Sequence, residues 1–138
     1  MLTAFINARV FTGDAVLENA AVLVEDQRVV ATGVGLPLPP GARTVDLNGL
    51  SIAPACIDLQ VYGGKGKLFN NEPTAEAIES TWQQAREGGA SHFQITLSCS
   101  PPDTMWRAID ACRDYRAAGG RGLLGLHLEG PFFNPAKR

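Results

Sequence analysis

The sequence is poor in charge excess, in histidine and in cysteine, and each shortage excludes something. Twelve basic and fourteen acidic side chains leave a formal net charge of −2. With no polybasic signature, neither nucleic acid nor an anionic membrane is an expected partner. No stretch approaches the roughly 18 apolar residues of a membrane span, and the start Met1-Leu2-Thr3-Ala4-Phe5 lacks a basic leader region. Cys56, Cys99 and Cys112 are odd in number and contain no C-x-x-C pair. They read as buried thiols of a cytoplasmic protein rather than a disulfide frame or a structural zinc site. The two histidines, His92 and His127, cannot by themselves complete an imidazole-rich metal centre.

What the chain does have is a change of rhythm near residue 54. Residues 1–53 read as short strands and turns without a helix. Ala4 to Phe11 and Ala20 to Val24 are β-rich. Glu25-Asp26-Gln27 makes a polar hairpin tip before Arg28-Val29-Val30-Ala31, and the prolines between Pro37 and Gly41 exclude a helix there. From 54 to 138 strands and helices alternate. Cys56 to Tyr62 is a strand with polar residues at 58, 60 and 62. A helix follows, capped by Thr74, with Ile78, Trp82 and Ala85 on its buried face and Gly88-Gly89 closing it. Ser91 to Leu97 is a second strand. Ser100-Pro101-Pro102-Asp103 opens a second helix with Met105, Ile109 and Cys112 inward, and Gly119-Gly120 ends it. Gly122 to Glu129 is the third strand, stopped by Gly130-Pro131.

Strands joined by helices pair in parallel, and a parallel sheet collects its chemistry at the C-terminal ends of its strands. Gln60 with Tyr62, Ser98 with Cys99, and Glu129 should therefore converge. A carboxylate at the end of an apolar strand is costly unless it is solvated, paired or bound to a metal, so Glu129 is the foremost candidate. His127, two residues earlier, shares its face and should line the site or hold a neighbour, with a hydrogen-bonded core histidine as the competing reading. His92 lies at the far end of its strand and reads as structural, as does Asp58. Gly63-Gly64-Lys65-Gly66-Lys67 does not match a phosphate-binding P-loop and is expected to be a flexible lid or a subunit contact; Lys137-Arg138 is either an anion contact or a solvated end.

The β-rich start, then Ala53-Pro54-Ala55-Cys56-Ile57-Asp58-Leu59-Gln60-Val61-Tyr62-Gly63, then Gly125-Leu126-His127-Leu128-Glu129-Gly130-Pro131, resembles the amidohydrolase superfamily, and within it the deacetylases of phosphorylated amino sugars. The resemblance implies an α/β fold: the N-terminal β-rich segment of a small β-sandwich (1–53), followed by the first three strands and two helices of a metal-dependent (β/α)8 barrel (54–138). It also implies hydrolysis of an acetamido group at one divalent metal ion, zinc being the expected choice, with Glu129 as a ligand. Most members of the superfamily carry His-x-His where this chain has Gln60 and Tyr62. That difference disfavours a two-metal site and the adenine deaminase-like and dihydroorotase-like alternatives, and leaves Gln60 and Tyr62 to line the site. Ala55 stands where the family usually has glycine. Since a (β/α)8 barrel takes about 250 residues, the chain is expected to be an N-terminal portion, with the general base and remaining ligands beyond Arg138 and a homodimer as the full-length state. Alone, it is not expected to bind metal tightly or turn over substrate. A non-catalytic barrel-derived binding module is the rival from outside enzymes.

Overall fold

The computed structural model describes residues 1–130, 132–134 and 136. Pro131, which ends the His-Leu-Glu-Gly-Pro stretch, and the Lys137-Arg138 pair lie outside the described residues. The chain divides into two compact units, Met1–Pro54 and Ala55–Arg138.

The first unit is a five-stranded sheet. Strands β1 (Leu2–Phe11) and β2 (Val16–Glu25) run antiparallel, and β3 (Arg28–Val34) returns antiparallel to β2. The β2–β3 turn is Asp26-Gln27, both with positive φ, 44° and 73°, which is the backbone of a two-residue hairpin whose twist matches its strands. The short strands β4 (Arg43–Asp46) and β5 (Ser51–Ile52) both pair in parallel with β1. Between them Asn48 and Gly49 turn the chain with φ of 49° and 83°, and the Asp46 carboxylate accepts from the Asn48 N–H at 2.9 Å. The core here is a patch of small side chains, Ala8, Val10, Ala20 and Val22.

The second unit is built on three parallel strands: β6 (Cys56–Val61), β9 (Ala90–Leu97) and β10 (Leu123–Leu128), in the order β10-β9-β6. Between β6 and β9 come a small hairpin, β7 (Gly63–Gly64) and β8 (Lys67–Leu68), and helix α1 (Ala75–Glu87). Helix α2 (Pro102–Ala117) joins β9 to β10. Among the described residues this is an open three-stranded parallel sheet with a helix in each connection, as in the opening units of a (β/α)8 fold, and not a closed barrel.

The helices sit where the sequence demands. The Thr74 hydroxyl accepts from the Ala77 N–H at 3.2 Å, Glu76 and Arg86 complement the ends of α1, and Pro102 opens α2 where a missing N–H costs nothing. Phe93, Ile95 and Leu97 on β9 alternate into the helix layer and are fully buried with Ile78 of α1 and Ala108 of α2. Burying each such large side chain stabilises by about 1.5–3 kcal/mol.

Several expectations are corrected. Cys112 is buried, and burial pushes its thiol up to about 11, but Cys56 and Cys99 are exposed. The reason is position: Cys56 begins an outer strand of the three, and Cys99 lies past the end of β9. Ser100 does not cap α2; its hydroxyl donates to the Ser98 carbonyl at 2.8 Å, and Pro101 occupies the cap position. The buried stripe of α2 is Ala108, Ala111, Cys112 and Tyr115, with Met105 and Ile109 only partly covered. Finally, Gly63–Lys67 is not a loose lid. It forms the β7–β8 hairpin seated on α1, where a Cβ at Gly64 would stand 2.8 Å from Ser80 O, Thr81 Cα and Gln84 Cβ. The Lys65 N–H donates to Gln84 at 2.9 Å, and the two lysines pair with helix carboxylates, Lys65 with Glu87 and Lys67 with Glu76.

Candidate functional site

Val61 of β6, Ile95 of β9 and Leu126 of β10 all face the helix layer, so their neighbours in sequence face the other way. That opposite face carries Gln60 and Tyr62, Gln94 and Thr96, and His127; Glu129 follows just past the end of β10, its N–H donating to the Leu97 carbonyl at 2.9 Å.

Three of these side chains meet. The Tyr62 hydroxyl donates to Glu129 Oε2 at 2.6 Å. Gln60 Nε2 lies 2.8 Å from Tyr62 Oη and 3.3 Å from Glu129 Oε1, so the amide donates to both oxygens. The carboxylate therefore receives a neutral donor on each oxygen. Bonding to Glu129, then burial, push the Tyr62 phenol above its ordinary value, while the bond from Gln60 acts the other way. Tyr62 thus stays a protonated donor at neutral pH, which is what a fixed carboxylate needs.

His127 also reaches β6. Its Nδ1 lies 3.0 Å from the Leu59 carbonyl. A carbonyl only accepts, so Nδ1 carries the hydrogen. Asp58 accepts from the Gln60 N–H at 3.1 Å, tied to its own strand. Ser98 bonds to Asn70 Oδ1 through its N–H and its hydroxyl, at 3.3 and 3.4 Å. His92 is exposed, with Nδ1 3.0 Å from the Ser91 hydroxyl.

The sequence reading missed Thr96. It is fully buried, and among the described residues its hydroxyl has no hydrogen-bond partner. Period-two counting from buried Phe93, Ile95 and Leu97 would have placed it on the face of the cluster. Asn70 was also missed; nothing in its local sequence marks it as the partner of Ser98.

As a metal foothold, the cluster offers one hard oxygen donor, Glu129, which fits one ligand of a divalent ion. Gln60 and Tyr62 are neutral donors that can hold the carboxylate rather than grip the ion. Among the described residues there is no group of three His, Cys, Asp or Glu side chains able to hold a metal.

The sequence profile of the NagA composite domain matches residues 2–52. The N-acetylglucosamine-6-phosphate deacetylase of Haemophilus influenzae is 30% identical over the whole chain, covering 36% of that protein. The crystal structure of N-acetylglucosamine-6-phosphate deacetylase from Pasteurella multocida superposes with a TM-score of 0.90 at 28% identity, over 99% of this chain and 36% of that one. Over its whole length the chain is similar to N-acetylglucosamine-6-phosphate deacetylases. The family likeness extends to an N-acetylgalactosamine-6-phosphate deacetylase from Shewanella sp. (strain ANA-3), 31% identical over 95% of this chain and 34% of that protein. The chain spans about a third of the length of these deacetylases. Among the described residues no helix is long and apolar enough to cross a membrane.

Proposed function

We propose that this chain supplies one side of the active site of a metal-dependent N-acetylglucosamine-6-phosphate deacetylase, which releases acetate and glucosamine 6-phosphate. The observation that carries the reading is Glu129, placed at the C-terminal end of a parallel strand and oriented on both oxygens by Tyr62 and Gln60. Residues 1–53 would be part of the small β-domain, and 54–138 the first units of the barrel.

Glu129 would hold one divalent ion, zinc being the first choice. When bound, such an ion polarises the acetamido carbonyl and lowers the pKa of water toward neutrality. Tyr62 and Gln60 hold the carboxylate in one orientation, and an incoming ion would share its oxygens with these two donors. No described residue is placed to take a proton from water and pass it to the leaving amine, so that role falls to a group outside the cluster. The sugar phosphate would find no free cation in the Gly63–Lys67 hairpin, since both lysines are already paired. We infer a cytoplasmic homodimer acting on a small phosphorylated amino sugar.

N-acetylgalactosamine 6-phosphate is the second reading, favoured by the likeness to the Shewanella enzyme. The two sugars differ only in the C4 hydroxyl, so parallel assays of acetate release separate them. The decisive comparison is the intact protein against Glu129→Gln. The proposal expects about one equivalent of metal and acetate release in the wild type. Both should fall at least about a hundredfold in the variant, beyond the 10–100-fold typical of groups that only support a ligand. Metal-free wild type with no acetate release would instead favour a binding module.

A further inference from the structure

β6 and β10 are not neighbours; β9 lies between them. Yet the two strands deliver the two halves of the cluster, Gln60 and Tyr62 from one and Glu129 from the other, so something must set their separation. The register of β6 against β9 slips between Asp58, paired with Phe93, and Val61, paired with Ile95. That is three steps on one strand against two on the other, which turns the backbone of Leu59 and Gln60 out of the regular ladder. At this slip the Leu59 carbonyl accepts from His127 at 3.0 Å. His127 is the register partner of Thr96 on β9, so its imidazole reaches across the middle strand at Thr96. Thr96, on the face away from the helices, is fully buried there.

We propose that His127 is a positioning residue for Glu129: by donating Nδ1–H to the Leu59 carbonyl, it straps the strand carrying the carboxylate to the strand carrying Gln60 and Tyr62. The inference rests on the metal reading above. The strap joins the residue next to Gln60, on the strand that runs on to Tyr62, and the residue two before Glu129. The bond also fixes which nitrogen faces β6: Nδ1 bears the hydrogen that the Leu59 carbonyl accepts. A histidine serving only as core filling would be replaceable by any side chain of similar bulk.

The test is titration of the intact, metal-stripped protein with zinc alone, against a chromophoric chelator, for wild type, His127→Leu and His127→Asn. Leucine fills space without a donor, whereas the asparagine amide can place an N–H near the position of Nδ1. The strap predicts zinc binding about 10–100-fold weaker in His127→Leu. His127→Asn should recover to within about threefold of wild type, a rescue that bulk alone would not give. Equal affinity in all three proteins overturns the strap while leaving the metal site standing. A wild type that takes up no zinc overturns the metal reading and this role with it. Should His127→Leu fail to fold, long-range ¹H–¹⁵N NMR of the wild-type imidazole decides: a protonated Nδ1 bears the strap out, and an Nδ1 without hydrogen overturns it.

Discussion

The two faces of the same three strands are built on opposite terms. Toward the helices, Phe93, Ile95 and Leu97 are fully buried, and the Phe93 ring stacks on Trp82 with centroids 6.1 Å apart. On the other face, Tyr62, His127 and Glu129 are half-buried, and each is committed to a directional hydrogen bond. One face gains from being dry and the other from being aimed. Stability should therefore reside in the first face, and chemistry in the second.

Three substitutions in the intact protein can break or sharpen that contrast, each read by denaturant unfolding. The largest effect is expected from Phe93→Ala, which empties the dry face: a loss of about 3–5 kcal/mol. A loss below about 1 kcal/mol would mean that the helix layer is not where the unit is held. Tyr115→Phe should come next. The Tyr115 hydroxyl sits 2.9 Å from both Glu79 Oε2 and the Arg121 carbonyl and accepts from the Arg121 N–H at 3.1 Å, so its removal should cost about 1–3 kcal/mol. This phenol is raised to about 12, by burial first and then by Glu79. A raised acid is held in its neutral form by folding. Its contribution is thus complete below the ordinary phenol value of about 10 and is lost as pH climbs through about 12. The Phe variant should lack that alkaline loss, and an unchanged pH–stability curve would contradict the assignment. Smallest, and opposite in sign, is Thr96→Val. It keeps the shape and removes a buried hydroxyl without a partner, so stability should stay level or rise by up to about 1 kcal/mol. A clear loss would show that the hydroxyl is bonded.

The dry face was largely legible in the sequence because it is written in periodicity. Thr74, Gly88-Gly89 and Gly119-Gly120 bound the helices as capping chemistry requires, and the strand–helix alternation dictated the parallel sheet. Gln60, Tyr62 and Glu129 were also within reach, since alternation and the C-terminal-end rule place them together. What sequence could not supply was the partner of His127. It depends on a register slip at Leu59 and Gln60 that no glycine or proline announces. The flexible-lid reading of Gly63–Lys67 failed for a related reason. The partners of Lys65 and Lys67, Glu87 and Glu76, lie on a helix whose polar side looks from sequence like ordinary solvated surface.

The β7–β8 hairpin is held to α1 in two different ways, and they respond differently to added salt. Its ion pairs are exposed, so a concentrated electrolyte would screen them until little of their attraction remained. The fit of Gly64 against the helix backbone is a matter of shape, which dissolved ions do not touch. In brine the lysines would let go while the turn kept its seat, whereas a side chain larger than hydrogen at position 64 would unseat it.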